Sequence, residues 1–162
     1  MNTIVADACP VIFLAKLNQL ELVRGVFPGK ILLPDAVARE LEQENIPLAE
    51  QRRIRGFLKK CQIETVRSPQ YASTSLSLAD RCVLTLAGKH RDAIILTDDG
   101  LVRRIARSEG FTVAGTLGVL IRARRAGLIA KSIARQALND LIARHQFRIS
   151  IELFQDVLRY ID

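Results

Sequence analysis

The chain contains no tryptophan, two tyrosines and six phenylalanines in 162 residues. A surface that stacks successive bases on aromatic rings needs more rings than this, so no such platform is expected. Cysteine is scarce too. Cys9, Cys61 and Cys82 are odd in number, far apart and without a CxxC pair, which fits reduced thiols in cytosol and not a disulfide frame or a zinc site. The two histidines, His90 and His145, lack metal-ligand spacing and read as surface residues. No apolar run approaches the roughly 20 residues of a membrane span. The opening stretch MNTIVADACPVIFLAKL has no basic flank and is interrupted by Asp7, so it does not read as a signal peptide. A soluble, cytoplasmic protein without a membrane partner is expected. Internal repeats and low-complexity segments are missing as well.

What is present is a basic surplus in a chain of one-domain size. The 24 Lys and Arg exceed the 17 Asp and Glu by 7. A surplus of that sign favours polyanions, nucleic acid first and anionic membrane second; a solvated basic surface kept for solubility explains it equally well.

Short apolar runs alternate with helical patterns. Residues 3–6, 30–33, 63–66, 93–97 and 111–114 read as strands, several rich in β-branched residues. The intervals carry helical periodicity, as in residues 10–24 with Val11, Leu14, Leu17, Leu20 and Val23. This alternation predicts an α/β protein with a central, mostly parallel sheet covered on both faces. Pro34 is expected in the first turn of a helix over PDAVARELEQE. Residues 68–75 read as a surface loop. After residue 115 the pattern is all-helical: Thr116 and Gly127 bracket one helix, Ser132 opens another, and Ser150 caps a last one with Phe154, Val157, Leu158 and Ile161 on one stripe. One domain over 1–162 is expected, with an α/β core in 1–114 and a helical part in 115–162.

Acids stand in four places against this apolar framework. Asp7 follows the first strand, where open parallel sheets gather their chemistry; a turn or helix N-cap is its other explanation. Glu40 shares a helix face with Ala36, Val37 and Leu41, while Glu42, Gln43 and Glu44 are expected to extend the helix toward solvent. An acid on an apolar face needs a partner or a cation, unless it sits on a half-exposed rim. Asp80 lies in line with Val83, Leu84 and Ala87 but also completes a near capping box with Ser77. Asp98 and Asp99 end the 93–97 strand, and one of them is expected to cap the next helix. Taken singly, each acid has a structural explanation. Brought to one sheet edge they would repel and raise one another's pKa values. A hard divalent cation such as Mg²⁺ or Mn²⁺ resolves that conflict and suits phosphodiester hydrolysis.

In VADACPVIFLAKLNQL, ILLPDAVAREL, LADRCVLTLA and ILTDDGLVRRIARSEGFTVAGTLGVLIRARRAGLI, the chain resembles the PIN-domain nucleases, in particular the VapC-like toxin branch. The resemblance spans nearly the whole sequence. It implies a PIN-like three-layer α/β/α fold and Mg²⁺- or Mn²⁺-dependent cleavage of RNA, leaving a 5′-phosphate and a 3′-hydroxyl. The family's metal-binding acids fall on Asp7, Glu40, Asp80 and the Asp98–Asp99 pair. The family's T-x-D form favours Asp99, and both are kept as candidates. Toxins of this branch are homodimers held inactive by a small antitoxin protein, so a second copy and such a partner are expected. The helices of 10–24 and the stripe of 150–161 are candidate surfaces, although the stripe has core completion as its alternative. Three positions depart from the family pattern: Cys9 stands where Ser is common, Ala8 where a hydroxyl is common, and Ala79-Asp80 where Gly-Glu is usual.

Basic residues follow the last acids. Arg103, Arg104, Arg107, Arg122, Arg124, Arg125, Lys131 and Arg135 are offset only by Glu109. Such residues give salt-dependent phosphate contacts with little sequence reading, or simply a solvated helix face. Arg103 or Arg104 is the expected contact to the scissile phosphate. The reading that results is a metal-dependent endoribonuclease, the toxin of a type II toxin–antitoxin pair. A catalytically weak or inactive RNA-binding module is its alternative. A phosphoacceptor domain would want a Lys at a late strand end, and after FTVA comes Gly115 instead.

Overall fold

The computed structural model describes residues 2–43 and 45–162. Five strands form one sheet: β1 Asn2–Ala6, β2 Gly29–Pro34, β3 Gln62–Glu64, β4 Ala93–Leu96 and β5 Thr112–Ala114. Their order is β3-β2-β1-β4-β5 and every pairing is parallel. The helices that flank the sheet are α1 Ala8–Lys16, α2 Leu22–Val26, α3 Asp35–Leu41, α4 Leu48–Leu58, α5 Leu78–Gly88 and α6 Gly100–Ser108, followed by α7 Thr116–Arg125, α8 Lys131–Ala143 and α9 Ile151–Ile161. The expected α/β class is therefore what the chain adopts, with the sheet wholly parallel.

Burial explains the strand sequences. β4 is buried at every position and β1 at Ile4, Val5 and Ala6, because a central parallel strand has helices on both faces and no solvent side. β1 is the topological centre. The chain first builds outward through β2 to β3, then returns to the other side of β1 with β4 and β5. Such a reversal opens a crevice beyond the carboxyl ends of the strands that meet there, here β1 and β4.

Several sequence expectations need correction. The pattern over 10–24 is two helices, broken at Leu17–Glu21, where Asn18 takes a positive φ of 54°; the apolar spacing continues across the break because both pieces pack on the same core. α1 begins at Ala8, ahead of Pro10, which is harmless at its third position because the missing N–H has no partner in the first turn. Pro34 ends β2 and precedes α3, with ψ at 145°, instead of lying in its first turn. α3 stops at Leu41, so Glu42 and Gln43 do not extend it, and Glu44 lies outside the described residues. α8 starts at Lys131 after Ala130, not at Ser132. Residues 68–75 carry no helix or strand, as expected.

The helical C-terminal part packs on the sheet through α7, which touches α1, α2 and β5 as well as α8 and α9. Ser150 caps α9 by accepting from Leu153 N–H at 3.1 Å. Val157 and Ile161 are buried with Ala134 and Leu138, and Phe154 and Leu158 pack against them, so the 150–161 stripe completes a core cluster. Among the described residues, no helix is long and apolar enough to cross a membrane.

Candidate active site

Asp7 leaves the C-terminal end of β1 and caps α1. Its Oδ1 accepts from Ala8 N–H at 2.8 Å, and its backbone N–H reaches Leu96 carbonyl on β4 at 2.9 Å. The other carboxylate oxygen, Oδ2, accepts from the Thr97 hydroxyl at 2.9 Å. Thr97 is fully buried and its Oγ1 in turn accepts from Asp99 N–H at 3.2 Å. Only 5% of Asp7 is exposed. Burial, helped by the charges of Asp80 and Glu40, pushes its carboxyl up to about 6 against the pull of those two hydrogen bonds.

Glu40 is on α3, half-buried beside buried Ala36, Val37 and Leu41, which is the rim position. Its pKa is raised by burial and by Asp80. Asp80, also half-buried, sits in the first turn of α5. Its capping box with Ser77 is complete: Ser77 Oγ accepts from Asp80 N–H at 3.1 Å, and Asp80 Oδ2 accepts from Ser77 N–H at 3.0 Å. The cap uses one carboxylate oxygen, and Asp80 still acts on Asp7 and Glu40 through its charge.

The acid pair divides its work. Asp99 is exposed and caps α6, accepting from Val102 N–H at 2.9 Å. Asp98 turns the other way, to the start of α7, where it accepts from Thr116 N–H at 2.8 Å and from the Thr116 hydroxyl at 2.6 Å. Burial raises its pKa, while Thr116 and then Arg103 lower it. Gly115 is required between them. A Cβ there would stand 2.5 Å from Asp98 Oδ1 and 2.8 Å from Arg103 Nη1.

Cys9 reports how the acids are grouped. Its thiol is pushed up to about 12, first by the protein around it, then by the charges of Asp7, Asp98, Glu40 and Asp80. Four acids from four separate segments thus act on one point. All their donor atoms are hard oxygens, which fits Mg²⁺ or Mn²⁺. Among the described residues, however, no three His, Cys, Asp or Glu side chains stand close enough together to chelate an ion.

Arg103 is half-buried and donates to Thr97 carbonyl at 2.9 Å, which sets its guanidinium beside Asp98. Arg104 is exposed. His90 and His145 are half-buried. Sequence reasoning passed over Thr97 and Thr116 as functional residues, reading one as a strand end and the other as a helix start. The available signal was a hydroxyl one residue past β4 and another two residues past β5, each facing an acid from a neighbouring strand end.

A solved domain of a functionally unknown protein from Methanocaldococcus jannaschii shares the fold. It is 20% identical, with a TM-score of 0.50, over 71% of this chain and 91% of that one. No curated protein matches the chain. The family model described as "DUF3368: PIN domain" matches residues 3–162. With all but two residues inside that match, the chain belongs to the PIN-domain family, whose members are generally nucleases that use divalent metals.

Proposed function

We propose that the protein is a Mg²⁺- or Mn²⁺-dependent endoribonuclease. The observation that carries this reading is the buried Asp7 at the end of the central strand, held by Ala8 N–H and Thr97, its pKa raised by burial first and then by the charges of Asp80 and Glu40. A carboxylate kept in so costly a place, with Asp98 brought to the same side by Thr116, supplies oxygen donors and little else. Asp7, Glu40, Asp80 and Asp98 are the residues that would hold the cation. A divalent ion bound there would lower the pKa of a water and stabilise charge developing on the phosphorus.

The chain's own part is positional. Ala8 N–H and the Thr97 hydroxyl fix both oxygens of Asp7, so the carboxylate cannot swing away from the crevice. Thr116 does the same for Asp98. Arg103, tied to Thr97 carbonyl, adds a cation at the acid edge where a phosphodiester would lie, and Arg104 extends the charge to the surface. The excess of 7 positive charges draws in the polyanion. Products with a 5′-phosphate and a 3′-hydroxyl are expected.

By resemblance to the VapC-like branch, the proposal extends to a toxin of a type II toxin–antitoxin pair, acting as a cytoplasmic homodimer and held inactive by a small antitoxin. Sedimentation of the purified protein checks the dimer, and a monomer at micromolar concentration would remove it.

One observation favours the alternative, a non-catalytic RNA-binding module: no three donors converge among the described residues. Cleavage of an end-labelled, unstructured RNA in Mn²⁺, in Mg²⁺ and in EDTA, beside Asp7→Asn, decides between them. Metal-dependent cutting that the variant loses supports the enzyme. RNA binding without cutting, and without calorimetric Mn²⁺ binding, supports the module.

A further inference from the structure

A cleft of about 340 Å³ lies against the acid edge, between the start of α7 and α9, with Asp98 and Arg103 in its wall. Its remaining charges are cationic: Arg122 and Arg148 line it, both exposed. Among the described residues, neither Arg103, Arg122 nor Arg148 forms an ion pair. Arg122 instead lies over the Phe27 ring, 5.0 Å from its centroid. The rest of the lining is largely apolar and includes the rings of Phe147 and Tyr160. Tyr160 is 53% exposed, with Arg125 over its ring at 4.8 Å. Three arginines beside one carboxylate leave the cleft positive, and its apolar wall is anchored in the core: Phe147 packs edge to face on Phe13, centroids 4.9 Å apart, and Val157 is buried.

We propose that this cleft is a subsite for one nucleotide of a single-stranded RNA, the base against Phe147 and Tyr160 and the phosphate on Arg148 and Arg122. The size suits one planar group and its charge, at the small end of ligand pockets. Guanidinium groups pair with phosphate in bidentate fashion, and a base gains by stacking on a ring whatever its identity. It is a single seat, compatible with the low aromatic content that excludes a longer platform. The subsite deepens the ribonuclease reading: with Asp98 in the wall, the strand continues from the seat to the acids, and the nucleotide seated there selects where a cut falls.

The test separates binding from cutting. Anisotropy of a short, fluorescein-labelled, unstructured RNA is measured in EDTA for the wild type, Arg148→Ala, Gly118→Leu and the control Arg52→Ala. Arg52 is exposed on α4 and does not line the cleft. Gly118 does line it, and a Cβ there meets only Ala114 Cβ at 3.7 Å, an ordinary contact, so the helix accepts leucine while the seat fills. Each cleft variant is expected to weaken binding about tenfold, and the control by less than about twofold. Arg148→Ala should also flatten the dependence of log K on log salt by about one unit. Unchanged RNA affinity in both cleft variants, each with a wild-type melting curve, overturns the subsite. So does displacement of the RNA by a polyglutamate peptide at a lower concentration than by unlabelled RNA, which would assign the cleft to an acidic protein partner. Cutting in Mn²⁺ is scored separately. Cleft-dependent binding without cutting keeps the subsite and removes the nuclease, and cutting without cleft dependence does the reverse.

Discussion

The Thr97 hydroxyl donates to Asp7 Oδ2 across 2.9 Å, joining the carboxyl ends of β4 and β1 in the middle of the sheet. Because Thr97 Oγ1 also accepts from Asp99 N–H, its proton has one direction to point, toward Asp7. Thr97→Val keeps the shape and removes the hydroxyl. The expected result is a loss of about 10- to 100-fold in cleavage and about 1–2 kcal/mol in stability, with Thr97→Ser retaining most of both. Single-turnover cleavage and urea unfolding measure the two. Wild-type cleavage by the valine variant would show that Ala8 N–H alone positions Asp7.

Asp7 itself should cost the fold free energy. Its carboxyl titrates near 3.8 when exposed and near 6 in the folded protein. Between those values the folded state holds a proton that the unfolded state has lost. Stability therefore falls as pH rises through that window, then levels off above it. Asparagine removes the charge and keeps one acceptor, for Ala8 N–H, while its NH₂ replaces the oxygen that accepts from Thr97, so the Thr97 hydroxyl must turn to accept instead. Asp7→Asn is expected to be more stable than wild type by about 1–3 kcal/mol at pH 7.5 in EDTA, to lose that advantage near pH 3.5, and to cut no RNA. Chemical unfolding across the pH range gives the curve. A variant less stable at every pH would mean that the hydrogen bonds outweigh the burial.

The adjacent acids should separate in function. Asp98→Asn is expected to abolish cleavage, because Thr116 holds both Asp98 oxygens at the start of α7 while Asp99 is spent on capping α6. Asp99→Ser keeps a capping oxygen for Val102 N–H and should cut nearly as the wild type does. Asp99→Ala should cost about 1 kcal/mol of stability. The opposite ranking in a cleavage assay would assign the ligand to Asp99.

Gly115 gives a steric test that removes no functional group. Adding a Cβ would drive Asp98 Oδ1 or the Arg103 guanidinium aside. Gly115→Ala is expected to lose about 1–3 kcal/mol and most of the cleavage. Gly118→Ala, three residues on, where a Cβ makes only an ordinary contact with Ala114, should do neither. Thermal melts alongside the cleavage assay compare them.

Much of this was visible in the chain as letters. The central strands were legible because a buried parallel strand must be apolar throughout, as in AIIL of β4. The acids were legible because they interrupt apolar surroundings at strand ends or on helix faces. The edge strand β3 was placed one or two residues late, since Gln62 and Ile63 are exposed and carry no burial pattern. Which acid of the pair faces the site was not readable. That depends on Thr116, 18 residues further on, and spacing along the chain says nothing of which way two neighbouring carboxylates turn. The same holds for Thr97: a hydroxyl becomes a positioning group only when another strand places a carboxylate beside it.

The central place of β1 has a consequence in time. Asp7 is made early, but Thr97 follows it by 90 residues, and β4 cannot take its place beside β1 before then. Long-range parallel pairing is also slow to form. Until β4 is made, Asp7, Glu40 and Asp80 therefore wait for Asp98, and whatever the four do together begins only when the sheet closes around the first strand.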